Sequence, residues 1–156
     1  MSITDRNRFL YIFITFPASR WSVFILKYLK YLGNIIHSSA NLTFNIDHRL
    51  AKGQGVVTDI ISFLEEIPLG PTRVKVGLIL RESKFINSIL YSGETWHSLT
   101  IRDTLRFERL DQFLLRNILF KCNSKTKVEF LHLETCTLKI KHILAGRRVL
   151  YLKYIL

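Results

Sequence analysis

The chain has 156 residues, a formal charge of +11 from 23 Lys and Arg against 12 Asp and Glu, and 48% apolar residues. That balance excludes a disordered chain, and two cysteines exclude both a disulfide scaffold and a four-cysteine zinc site. No apolar run reaches the roughly 18 to 20 residues that a spanning helix needs. What remains is a basic, mainly helical module of about one domain.

The first twenty residues carry a short apolar run, Phe9-Leu10-Tyr11-Ile12-Phe13-Ile14-Thr15-Phe16, followed by Pro17-Ala18-Ser19. A charged start before such a run imitates a secretory signal. Asp5 in the would-be basic part and the shortness of the run argue against that, and for a buried strand or an N-terminal extension. From Trp21 to Ile36 the residues are β-branched and aromatic, among them Val23, Ile25, Tyr28, Tyr31 and Ile35, with Gly33-Asn34 near the end. A short strand or hairpin is expected there. Ser38-Ser39-Ala40-Asn41 reads as a turn that leads into a helix.

Helical spacing begins near residue 42. Leu50, Val57, Ile60, Ile61 and Leu64 share one stripe, which predicts a helix over 42–64. Gly53 and Gly55 weaken its middle and predict a kink or break, and Pro68, Gly70 and Pro71 end it. A second helix is expected over 72–90, with Val74, Leu78, Phe85, Ile86 and Ile89 facing inward and Arg73, Arg81, Glu82 and Lys84 elsewhere. Residues 91–98 form a loop around Gly93. Thr100, with Asp103 three residues on, predicts the start of a third helix that runs to about Phe120. Its expected core positions are Leu110, Phe113, Leu114 and Ile118, widened by Leu115 and Leu119. A loop over 122–126 and a short helix over 127–133 follow. The last helix, over 138–155, should bury Ile140, Ile143, Leu144 and Leu150 beside Arg147 and Arg148. Its periodicity still runs at Leu156, which suggests a truncated element.

The charge is uneven. Residues 1–40 hold five basic side chains and one acid, 41–120 hold ten and nine, and 121–156 hold eight and two. The middle reads as solvated, salt-bridged helices. The basic last third is the candidate reader of an anionic surface, because lysines and arginines release the counterions of a phosphate backbone without reading its sequence.

Chemistry is sparse. Gly53-Gln54-Gly55 is too short for a phosphate loop, and no HExxH or GxSxG frame occurs. Cys122, His132, Cys136 and His142 match no ordinary zinc spacing, so reduced structural thiols and surface imidazoles are expected. Glu65-Glu66 reads as a solvated pair at a helix end. Asn41-Leu42-Thr43 is a formal glycosylation sequon that matters only in a secreted chain. Trp96-His97 suggests either a base-stacking platform or, more simply, a tryptophan closing the core under its loop.

A series of short segments resembles the reverse transcriptases of non-LTR (LINE-like) retrotransposons, in the region downstream of the catalytic palm. They are Lys30-Tyr31-Leu32-Gly33 with Ile35-Ile36, Asn45-Ile46, Arg49 and Lys52-Gly53, then Ile67-Pro68-Leu69-Gly70 and Leu80-Arg81. Asn87-Ser88-Ile89-Leu90 and Tyr91-Ser92-Gly93-Glu94-Thr95-Trp96 follow, the latter similar to a "YGSETW" motif but with its Gly-Ser order inverted. Glu108, Asp111 with Leu114-Leu115-Arg116, Glu129-Phe130-Leu131-His132-Leu133-Glu134, and Arg147-Arg148 with Tyr151-Leu152 continue the pattern. It covers 30–156 and leaves 1–29 as a poorly matched apolar extension.

The resemblance implies a primer-grip strand turn at Lys30, Tyr31, Leu32 and Gly33, followed by thumb-like and linker helices that lie against a template–primer duplex. The expected phosphate contacts are Lys139, Lys141, Arg147, Arg148 and Lys153. The family's paired palm aspartates are absent, since no two aspartates are adjacent here. Nucleotidyl transfer needs carboxylates that hold two metal ions, so no enzyme activity, cofactor or metal is expected. The expected fold is mainly α, a helical thumb-like bundle with a small N-terminal β-hairpin or strand. The expected function is that of a polymerase fragment that binds RNA–DNA or DNA duplex weakly through phosphates. Such a fragment would take no small-molecule substrate and would reside inside the cell, in cytoplasm or nucleus. The alternative is a helical module whose basic last helix serves a protein partner or an acidic membrane surface.

Overall fold

The computed structural model describes residues 10–14, 22–26, 28–31, 34–37, 42–96, 99–119 and 125–156. The protein is mainly helical, and among the described residues its strands lie in the N-terminal part. It forms two compact units, Met1–His48 and Arg49–Leu156.

The first unit holds two antiparallel hairpins. β1 (Leu10–Ile14) pairs with β2 (Ser22–Leu26), Leu10 opposite Leu26 and Ile14 opposite Ser22. β3 (Tyr28–Tyr31) pairs with β4 (Asn34–His37), Tyr28 opposite His37 and Tyr31 opposite Asn34. The apolar run of the first twenty residues is therefore a strand, and the β-branched stretch that follows makes three more. A two-stranded ribbon is marginal by itself. Asn45, buried in the first turn of the following helix, steadies β4: its Oδ1 accepts the Ile35 N–H at 3.3 Å, and its Nδ2 lies 3.5 Å from Asn34 Oδ1.

α1 (Thr43–Glu65) is an unbroken helix, so the kink expected at Gly53 is not there. The reason lies in packing. A Cβ on Gly53 would sit 2.5 Å from Ile89 Cγ2 and 3.1 Å from Leu110 Cδ2, so the missing side chain lets two other helices approach. Leu50, Val57, Ile60 and Leu64 are buried as their spacing predicts.

The second helical run is less regular than its periodicity suggests. α2 (Pro71–Leu80) opens with Pro71 in the first turn, where its missing N–H costs nothing. It passes into a π segment, Arg81–Ile86, and then α3 (Asn87–Ile89). A π turn holds one more residue than an α turn. Arg81 and the pair Phe85-Ile86 can then all point inward, and all three are buried.

α4 (Ile101–Ile118) starts as the sequence predicts. Thr100 Oγ1 accepts the Asp103 N–H at 3.1 Å and donates to Asp103 Oδ2 at 2.6 Å, closing the capping pair. Its inner face is Phe107, Asp111, Leu114, Leu115 and Ile118. Phe113, assigned to the core by spacing, is 54% exposed instead. α5 (Val128–Glu134) closes with Cys136 in the left-handed conformation, φ 50°, which lets the Thr137 N–H reach His132 O at 3.0 Å. α6 (Ile140–Ile155) buries Ile140 and Leu144, but Leu150, also expected inside, is 59% exposed. Within the second unit the core is thus made by α1, the π segment with α3 and Leu90, Trp96, Phe107 to Ile118 of α4, Leu131 of α5, and the first turns of α6.

Candidate nucleic-acid interface

The loop after α3 and the last helix form one assembly. Ser92 takes the left-handed conformation, φ 58°, and turns the chain into a short 3-10 helix, Gly93–Thr95. Trp96 then extends into the core, 2% exposed, and stacks on Phe107 at 5.8 Å between ring centres. It closes the core under its loop and offers no face to a base, the simpler of the two expectations. His97 lies outside the described residues.

α6 seats itself on this turn through its two arginines. Arg147 Nη1 donates to Leu90 O at 3.1 Å and Nη2 to Asn87 Oδ1 at 2.7 Å. Arg148 Nη2 donates to Trp96 O at 2.6 Å. Gly93 lets α6 come close to the turn: a Cβ there would stand 2.9 Å from Leu144 Cδ1, so that side chain would have to shift. The segment that resembles "YGSETW" is therefore the seat of the last helix.

The order Ser92-Gly93 has a physical cost. A left-handed backbone disfavours any residue with a Cβ by about 1–2 kcal/mol, and the chain places Ser there and Gly one position later. Ser92→Gly should raise stability by about 0.5–1 kcal/mol in equilibrium urea unfolding, after the extra freedom of glycine in the unfolded chain is deducted. An unchanged or lower midpoint would contradict this.

A second joint lies deeper. Arg81 and Asp111 are both fully buried and form a bidentate pair, Nε to Oδ1 at 2.6 Å and Nη2 to Oδ2 at 2.7 Å. Arg81 Nη2 also donates to Leu138 O at 3.2 Å, and Nη1 pairs with Glu82. Burial alone would weaken the charge of Arg81. The hydrogen bonds and negative charge of Asp111, together with those of Glu82, outweigh it and hold the guanidinium more firmly protonated than usual. One guanidinium thus links the π segment, α4 and the residues that lead into α6. Periodicity alone placed Arg81 off the apolar stripe and gave no sign of this burial. Arg49 is likewise buried, 4.7 Å over the Tyr91 ring, and desolvation lowers its pKa. The middle of the chain is therefore not only a solvated set of ion pairs.

The residues expected to meet nucleic acid are distributed as follows. Lys30 and Tyr31 end β3, opposite Ile35 and Asn34, while Leu32 and Gly33 lie outside the described residues. Lys139, at the N-cap of α6, reaches Glu129 at 3.0 Å; a backbone hydrogen bond first, and this lysine after it, hold that carboxyl below its usual range. Lys141 and Lys153 are exposed on α6. Twelve residues apart, they are separated by about 120° around the helix. Arg147 and Arg148 are half-buried and engaged with the loop. The five groups therefore do not make one continuous stripe. Of the four residues weighed as metal ligands, Cys122 lies outside the described residues and Cys136 is exposed. His132 Nδ1 lies 3.1 Å from Thr137 Oγ1, and desolvation lowers its pKa.

No helix among the described residues is long and apolar enough to cross a membrane. No protein-family model, no curated protein and no solved structure matches the chain.

Proposed function

We propose that this chain is a thumb-like part of a non-LTR retrotransposon reverse transcriptase, without the palm carboxylates. Its activity is weak, sequence-indifferent binding of a template–primer duplex through phosphates. One observation supports the reading above others. Some of the residues that carry the resemblance also join the helices: Arg81 to Asp111, Arg147 to Asn87 and Leu90, and Arg148 to Trp96. A helical bundle set against a duplex would need such joints to hold its helices in place.

Phosphate contacts position a duplex and carry no base preference. Arg147 and Arg148 are poor probes of binding, because removing them also unseats α6. Lys141 and Lys153 are exposed and serve better. Lys141→Glu with Lys153→Glu should weaken binding of unrelated duplexes alike and reduce the salt slope by about two units, about one per lysine, in fluorescence anisotropy titrations. Unchanged affinity, or a loss confined to one sequence, would overturn the assignment.

A second reading rests on the far end of α6, where Val149, Leu150, Leu152, Tyr154 and Ile155 are all exposed. Such a surface suits a helical module for a protein partner or an acidic membrane. Competition between RNA–DNA duplex and anionic vesicles separates the readings.

A further inference from the structure

The near balance of charge in the middle of the chain conceals an ordered arrangement on α4. Arg102, Arg106, Arg109, Phe113 and Arg116 recur at intervals of four, three, four and three residues. At 100° per residue they share an arc of roughly 80°. The three acids of the same helix, Asp103, Glu108 and Asp111, lie off this arc, although Asp103 pairs with Arg106. Asp111 is buried against Arg81, and Asp103 closes the N-terminal cap, 3.7 Å from Arg106. Arg102 and Arg109 are exposed, and Phe113 is exposed among them.

This face also borders a groove. Leu50 and Gln54 of α1 line it with Arg106, Arg109, Leu110 and Phe113, around a space of about 350 Å3. That volume is at the small end of the range for sites that enclose a ligand group, about 300–1,000 Å3. Its contents are an apolar floor at Leu50 and Leu110, an aromatic ring, guanidinium groups and one amide that both donates and accepts.

We infer that the outer face of α4 binds a single-stranded nucleic-acid segment. Arg102, Arg106 and Arg109 hold its phosphates, and one base stacks on Phe113 beside Gln54. The combination of a cationic track with an exposed ring is what unpaired strands use, since every base has a face to stack and a duplex hides those faces. The inference shares with the function proposed above only the class of partner, and it uses none of the α6 lysines.

The test titrates the full chain with labelled oligo(dT) of about a dozen nucleotides and, separately, with linear polyphosphate. Phe113→Ala should weaken oligo(dT) about tenfold and polyphosphate less than about twofold, and Phe113→Trp should restore oligo(dT) binding. Arg102→Glu with Arg109→Glu should weaken both ligands about tenfold or more. The Lys141→Glu, Lys153→Glu chain should keep oligo(dT) affinity within about twofold, so that loss of the α6 reading is distinguished from loss of this one. Circular dichroism and urea midpoints confirm that each variant is folded. Equal losses for both ligands in Phe113→Ala, no loss for either, or failure of Phe113→Trp to rescue would overturn the stacking site.

Discussion

Asp111→Ala should destabilise the protein by about 3–5 kcal/mol, a large part of the roughly 5–15 kcal/mol that holds an ordinary domain. The substitution leaves the Arg81 guanidinium in the core, where it is completely buried, with one carboxylate lost. The loss should fall toward the lower end, because Glu82 and Leu138 O still contact that guanidinium. Replacing both partners tests the cause. Arg81→Met with Asp111→Leu removes both charges and should recover most of the loss, since an apolar pair of similar volume tolerates the site better than a single charge does. Equilibrium urea unfolding of the two single variants and the double variant completes the cycle. If the double variant is as unstable as the sum of the singles, the pair does not act as a unit and this joint is misassigned.

The sequence revealed local structure and little of what joins it. Thr100 and Asp103 announced the start of α4 because a capping pair is complete within four residues. Leu50, Val57, Ile60 and Leu64 announced the inner face of α1 because burial there follows helical spacing. Arg81 was not legible, since its partner lies 30 residues away and an arginine on a helix reads as solvated. The π segment was hidden for a related reason: it changes the direction of side chains without changing which residues are present. Phe113 and Leu150 fit apolar stripes and are nevertheless exposed. A stripe shows that a face is apolar, not that another element covers it.

The candidate interface was legible in part. Counting charge points to Lys141 and Lys153, and both are exposed. It says nothing of the seats of Arg147 and Arg148, whose acceptors are carbonyl and amide oxygens more than fifty residues earlier. On α4 the tally mixed arginines that share one arc with acids that lie off it, Asp111 buried and Asp103 at the cap. Direction around the helix was the signal that could have found that face.

The second large effect concerns salt. Each phosphate neutralised by a cation contributes about −0.9 to the slope of log affinity against log salt on a B-form duplex. Five contacts would lower affinity roughly 500-fold between about 50 and 200 mM salt. Arg147 and Arg148 are engaged with Leu90, Asn87 and Trp96, which leaves Lys139, Lys141 and Lys153. Lys139 counts because its pairing with the exposed Glu129 is at the surface and easily exchanged. Three contacts correspond to a slope near −2.7 and a loss of about 40-fold over the same interval. The most direct test of duplex binding by these helices is therefore the affinity of the full chain for a short duplex across that salt range. The account predicts a loss of about 40-fold that is the same for unrelated sequences. An affinity that changes less than about twofold, or duplex binding too weak to detect at the lowest salt, would contradict it.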